Sequence, residues 1–180
     1  RKRQDHSLRV WSTACARGEE PYSIAILVAE FLGHQRQGFN VSIYATDISR
    51  QALKEAKAGI YPPKDVKGLS DTILKNYFNH TDGRYEVMAD IKQTLHFSYF
   101  DMTSNARPPF VNLDLIFCCN VLIYLQKQLQ KRVLDMLCNS LHSQGYLILG
   151  EAETVPNSLH KKLGCLDRKA KIYKKVGINL

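Results

Sequence analysis

The chain has 180 residues, 44% of them hydrophobic, and a formal net charge of +8. That is enough to bury one good core, so a single domain with room for a small subdomain is expected; the longest apolar run falls far short of a bilayer span, and no tandem repeat is present. Lys and Arg are scattered through every segment, which favours general solvated surface, or a basic face for an acidic partner, over a nucleic-acid track.

Cys15, Cys118, Cys119, Cys138 and Cys165 show neither CxxC nor Cys/His ligand spacing, so reduced thiols, a cytoplasmic setting and no metal site are expected. The first residues, RKRQDHS, are abruptly polar and read as a stretch from within a longer protein.

Residues 8–12 are β-prone, and the small residues that follow lead to Gly18, where the chain can turn sharply. Pro21 suits the first turn of a helix whose predicted inner face is Ile24, Leu27, Val28, Phe31 and Leu32, with Gly33 as its stop. Residues 41–46 are a second strand, and Asp47 falls at its carboxyl end, close to the opening turn. This is a βαβ unit, in which ligands collect outside the strand carboxyl ends, and a hydroxylated sugar suits Asp47 there. Strand, turn, helix and acid also occur in α/β proteins that bind no nucleotide, so the pattern alone leaves both readings open. The turn is not GxGxxG. It carries one glycine and then Glu19 and Glu20, whose charges repel a pyrophosphate and favour a ligand bearing positive charge.

Ser49 is placed to cap a helix with Ala52, Leu53 and Ala56 inward, ending at Gly59 and broken by residues 60–63. Ser70 caps a short helix with Ile73, Leu74, Tyr77 and Phe78 inward, and Asp82–Gly83 marks a turn. Residues 85–88 and 95–100 read as strands, the first in a hairpin-like appendage outside the main sheet. Beyond Asp101, Met102 and a polar loop, Leu113, Leu115, Ile116, Phe117, Cys118 and Cys119 give the apolar run of a strand buried on both faces. It ends at Asn120, a third strand end on the edge of Ala14 and Asp47, where ligand contact and helix capping both fit the spacing. Tyr124 follows, then a stripe of Leu129, Val133, Leu137 and Leu141 on a helix that Gly145 is expected to stop. Residues 146–149 form another buried strand, and residues 163–166 and 171–176 a closing antiparallel pair. The alternation predicts an α/β fold with a mostly parallel sheet.

The stretches WSTACARGEEPYSIA, IYATDISRQALKEAKAGIYP, PPFVNLDLIFCCNVLIYLQKQLQ and QGYLILGEAET together resemble the chemotaxis receptor glutamate methyltransferase family (CheR). GEEPYS and NVLIY at this separation form a specific pair, and the likeness runs from residue 8 over nearly the whole chain. DRKAKIYKK and the surroundings of Asp47 and Pro109 look closest to the fused methylesterase and methyltransferase proteins. The resemblance implies a Rossmann-like methyltransferase fold over residues 1–180, with a terminal antiparallel hairpin and a small inserted β-subdomain at residues 61–99. In some members that subdomain grips a tethering peptide. The family's N-terminal helical domain is expected to be absent from this chain.

The resemblance also implies S-adenosylmethionine as cofactor, S-adenosylhomocysteine as product, and methyl-accepting chemotaxis receptors or a related signalling protein as partner, with no nucleic acid and no membrane insertion. By matching position, Glu20 lies by the amino acid part of the cofactor, Asp47 takes the ribose hydroxyls, Asp101 and Met102 border the adenine, Cys119 and Asn120 flank the ligand, and Ala14 is small enough for close backbone approach. Tyr124 stands beside the transferred methyl. Asp47→Ala is expected to abolish cofactor binding without harming the fold. Two departures stand out: Cys119 occupies the place of a family arginine, and Gly150, Glu151, Ala152 and Glu153 replace GHSE, changing polarity at the expected pocket rim. Two other classes fit part of the pattern: a non-catalytic module binding the cofactor or its product, and a nucleic-acid methyltransferase suggested by charge alone.

Overall fold

The computed structural model of the chain describes residues 6–176, except for the side chains of residues 35–37. Among the described residues two compact units are distinguishable: residues 6–7 with Cys15–Tyr99, and Leu8–Ala14 with residues 100–176. The chain enters through β1 (Ser7–Thr13), whose Val10 and Trp11 are fully buried.

In the first unit, helix α1 (Glu19–Leu32) starts from Gly18 at φ 93° and stops at Gly33. Pro21 sits in the first turn, where its missing N–H costs no helical hydrogen bond. The buried face is Tyr22, Ile24, Ala25, Ile26 and Ala29; of the predicted stripe Ile24 is buried and Val28 and Leu32 are half-buried, but Leu27 is 68% and Phe31 89% exposed. Apolar residues occur on several sides of this helix, so more than one face fits the 3.6-residue period. Ala25 and Ala29, 4% and 7% exposed, lie on the face that is buried.

Next come β2 (Asn40–Asp47) and α2 (Arg50–Ala58), the latter capped by Ser49, whose Oγ accepts the Ala52 N–H at 3.1 Å, and closed by Gly59 at φ 60°. Residues 60–63 do more than break the helix: Ile60–Tyr61 form a two-residue strand, β3, and Pro63–Val66 a one-turn helix, α3. Helix α4 (Asp71–Tyr77), capped by Ser70, leads into β4 (Phe78–Thr81) and β5 (Arg84–Val87). Asp82 and Gly83 between them both have positive φ, the pattern of a two-residue type I′ hairpin turn. Strands β3, β5 and β4 make a separate three-stranded antiparallel sheet. After the short α5 (Ala89–Lys92), β6 (Leu95–Tyr99) runs parallel to β2, with Asp47 opposite Tyr99.

In the second unit, β7 (Leu113–Cys118) lies parallel to β1, with Ser12 opposite Phe117. A 3₁₀ turn at Leu122–Tyr124 precedes α6 (Lys127–Ser140), which buries Val133, Leu134, Leu137 and Cys138. Strand β8 (Leu141–Leu149) is parallel to β7, and β9 (Leu163–Asp167) and β10 (Ile172–Lys175) close the unit in the antiparallel order β8-β10-β9. Gly145 does not stop α6. The helix already ends at Ser140, and Gly145 lies within β8, where a Cβ would stand 2.8 Å from the Leu113 carbonyl oxygen and 3.2 Å from that of Asp114. The glycine admits a close backbone approach where the β7–β8 register shifts.

The β2–β6, β1–β7 and β7–β8 pairings are parallel, and the closing strands and the inserted sheet are antiparallel. This is the mostly parallel α/β architecture that the alternation predicts. Among the described residues no helix is long and apolar enough to cross a membrane.

Candidate functional site

The first unit places Asp47 at the end of β2 with 8% of its surface exposed. Its Oδ2 accepts the Ala16 N–H at 2.8 Å and its Oδ1 the Ser49 N–H at 2.7 Å. The carboxylate is thus a buried knot between the turn at residues 15–18 and the start of α2, not the exposed strand end expected. Each oxygen keeps acceptor capacity beyond its one backbone bond, because an ionised carboxylate offers about four lone-pair sites. Next to it, the Cys15 N–H donates to the Thr46 carbonyl at 2.9 Å, and the Cys15 side chain packs with Ala45, Leu53 and Phe97. Burial, with the Asp47 charge second, pushes the Cys15 thiol up to about 12, so it is packing, not a nucleophile.

Much of the GEEPYS text serves the turn itself. The Tyr22 hydroxyl donates to the Ala56 carbonyl and the Tyr61 hydroxyl to the Arg17 carbonyl, each at 2.9 Å, and the two rings meet edge-on 6.2 Å apart. A Cβ on Gly18 would lie 3.1–3.2 Å from Ala56, Tyr22 and Tyr61, and one on Gly59 would lie 2.7 Å from the Tyr22 hydroxyl. Burial pushes both tyrosine hydroxyls above their usual range. The two acids of the motif are not equivalent. Glu19 pairs with Arg17 at 2.7 Å, and the same guanidinium nitrogen reaches Asp65 at 3.0 Å, so one cation is shared by two carboxylates and the turn keeps the negative balance expected of it. Glu20 is half-buried in the first turn of α1, a position where the helix dipole favours a carboxylate.

The second unit holds the other predicted residues. Ala14, half-buried, follows β1 with a left-handed φ of 50°, and the Thr13 hydroxyl donates to the Phe117 carbonyl at 3.0 Å. The β1–β7 register therefore brings Ala14 and Cys119 to matching ends of neighbouring strands. The half-buried Cys119 thiol lies 4.0 Å from the Ile148 carbonyl. Asp101 Oδ1 accepts both the N–H (2.8 Å) and the hydroxyl (2.6 Å) of Thr103, which hold its carboxyl below the usual range, and Met102 is buried.

Asn120 has φ 60°, and its side chain caps nothing among the described residues. The cap of the following turn is Glu153, which sequence reasoning had placed on the pocket rim. Glu153 is 3% exposed and accepts the N–H groups of Asn120, Val121, Leu122 and Gly150, whereas Glu151 and Ala152 are exposed. Tyr124, at the end of that turn, is 82% exposed, and its hydroxyl has no hydrogen-bond partner among the described residues.

A groove of about 310 Å³ in the first unit runs along α1 and is lined mainly by apolar side chains, including Tyr22, Ile26, Val66, Ile73 and Phe78. Its polar lining is Glu19, Ser23, Tyr61 and Asp65. Among the described residues no cluster of His, Cys, Asp and Glu could hold a metal ion, and none of the five cysteines forms a disulfide.

The DszA carbon methyltransferase structure superposes on 82% of this chain, and 29% of its own, at a TM-score of 0.50 and 13% identity, which shows the fold of S-adenosylmethionine-dependent methyltransferases. Residues 1–172 match the family described as "CheR methyltransferase, SAM binding domain", and the chain belongs to that family. The chemotaxis protein methyltransferase of Borreliella burgdorferi is 34% identical over 84% of this chain, and that of Salmonella typhimurium 36% identical over 87%. The chain spans about half the length of these relatives, 54% and 55% respectively.

Proposed function

We propose that this chain is the methyl-transferring domain of a protein-glutamate O-methyltransferase that modifies chemotaxis receptors in the cytoplasm. The residues fit the cofactor of the family. Asp47 retains lone pairs for two ribose hydroxyls, Glu20 supplies a negative charge for an amino group, and Asn120 offers an unengaged amide. Ala14 gives small bulk at a left-handed position, and Asp101, Met102 and Cys119 take the adenine-side and flanking roles that the family resemblance assigns.

Bound S-adenosylmethionine supplies a methyl group on a sulfonium, an electrophile that needs no further activation. A receptor glutamate is ionised near neutral pH, so the protein has no proton to remove from its nucleophile. Its work is alignment and exclusion of water. Tyr124 donates its hydroxyl hydrogen to the incoming carboxylate and holds one oxygen in line. The observation that carries this reading is the exposed Tyr124 hydroxyl standing four residues from the Asn120 amide, neither with a side-chain hydrogen-bond partner among the described residues, in a family-matched NVLIY segment.

The test is transfer of labelled methyl from S-adenosylmethionine to receptor membranes by the full-length protein, beside calorimetric titration with S-adenosylhomocysteine. Methyl incorporation on glutamate supports the reading, and binding without transfer favours a non-catalytic sensor. One observation favours that second reading: Cys119 puts a half-buried thiol where the family carries a cation.

A further inference from the structure

The geometry points to Glu153 as the positioning residue for the Asn120–Tyr124 segment: one buried carboxylate holds that segment by its backbone amides and thereby sets where Tyr124 stands. This rests on the functional reading above, and it concerns a residue to which that reading gives no part.

Four N–H groups converge on this one side chain. Oε1 accepts from Val121 at 2.8 Å and Leu122 at 2.6 Å, and Oε2 from Asn120 at 3.1 Å and Gly150 at 2.7 Å. Three of these amides are consecutive, at the start of a 3₁₀ turn whose own N-cap makes no side-chain hydrogen bond. Among the described residues no cation pairs with Glu153, so backbone dipoles alone compensate its charge, the arrangement in which a carboxylate accepts best. Gly150 shows how closely the segment is seated. A Cβ there would stand 2.7 Å from the Asn120 nitrogen, 2.7 Å from the Asn120 side-chain oxygen and 2.9 Å from Glu153 Oε2.

The other end of the turn is held from the opposite polarity. Gln130 Nε2 donates to the carbonyls of Leu122 at 2.9 Å and Leu125 at 3.0 Å. One acidic side chain grips the amide end and one amide side chain grips the carbonyl end. Leu122, 2% exposed, anchors the middle, and Tyr124, 82% exposed against 49% for Ile123, projects furthest into solvent from the held backbone. A loop restrained at both ends presents its tyrosine in one place, which is what alignment of a nucleophile requires.

Gln is not a conservative replacement here. Its NH₂ would face two N–H donors wherever it points, leaving two amides without an acceptor. In hydrogen exchange, wild-type Asn120, Val121, Leu122 and Gly150 amides are expected to be protected about a hundredfold over open loops, with that protection lost at residues 120–122 in Glu153→Gln. In the full-length protein, Glu153→Gln is expected to lower kcat about tenfold with a smaller change in S-adenosylhomocysteine affinity, and Glu153→Asp, which keeps both acceptors, to recover part of it. On a Tyr124→Phe background the same substitution should cost much less, which general loss of stability would not produce.

Wild-type amides at residues 120–122 exchanging like open loop would overturn the proposal, whether or not either variant folds. So would equal costs of Glu153→Gln in both Tyr124 backgrounds. Failure of the wild-type protein to bind S-adenosylhomocysteine would instead count against the functional reading, while the exchange measurement still decides whether Glu153 holds the segment.

Discussion

The carboxylate of Asp47 accepts the backbone N–H of Ala16 across 31 positions of sequence, at 2.8 Å, while its other oxygen accepts that of Ser49. One side chain therefore shapes the turn and presents the acceptor that the proposed ribose contact needs.

Replacing Asp47 cannot leave the fold untouched, contrary to the expectation from sequence. Asp47→Ala removes the acceptor of two N–H groups, each a charge-assisted bond, and is expected to cost about 2–4 kcal/mol, seen as a Tm lower by roughly 5–15 °C. Calorimetry below that Tm should show S-adenosylhomocysteine affinity reduced roughly a hundredfold. Retained affinity alongside the lowered Tm would make the residue purely structural.

Tyr124→Phe should behave differently. An exposed side chain with no internal partner contributes little to stability, so Tm should move by less than about 1 °C. Transfer should slow about tenfold at near-normal cofactor affinity. Equal rates would remove the hydroxyl from the mechanism.

Gly59 and Gly83 separate backbone strain from crowding. Both have positive φ, 60° and 70°, but a Cβ at Gly59 would stand 2.7 Å from the Tyr22 hydroxyl, whereas nothing lies within 4 Å at Gly83. Gly83→Ala should cost only the left-handed penalty, about 1–2 kcal/mol, and Gly59→Ala about 1–3 kcal/mol more by displacing Tyr22 from the Ala56 carbonyl. Urea midpoints for the two variants give the comparison; equal losses would show that Tyr22 yields without cost.

Alkaline pH should unfold the protein from within. Cys15, Tyr22 and Tyr61 all have raised values in the fold, mainly because burial disfavours the anion, so the folded state holds these protons more tightly than the unfolded chain. Their contribution is complete below the unfolded values, near 8.5 for the thiol and 10 for the tyrosines, and is lost as pH rises through the folded ones. Urea midpoints should fall above about pH 9, more steeply past about pH 10. At pH 8 a thiol reagent should modify exposed Cys165 well before buried Cys15.

Elements with strong local signals were legible in sequence: the caps at Ser49 and Ser70, the stop at Gly59, the Asp82–Gly83 turn, the buried run of β7 and the closing antiparallel pair. The errors came where tertiary packing overrode a local rule. Gly145 looked like a helix stop but serves a close strand crossing, and α1 had apolar residues enough to offer two faces. The parts of the site that were missed have no local signature. Glu153, Gln130, Tyr22 and Tyr61 act through hydrogen bonds to backbone groups, some as far as 44 residues distant, and no periodicity encodes such a partner. The family resemblance assigns ligand-facing roles; it does not give the backbone contacts that hold those residues.

The outward row of α1 sets the colloidal behaviour of this domain. Leu27 and Phe31 lie one turn apart and present oily area to water, and mutual repulsion from the +8 charge is expected to oppose their association. Ions in solution shorten the reach of that repulsion to about 8 Å at physiological strength and leave the oily row untouched. Concentrated stocks should therefore turn cloudy as salt is raised.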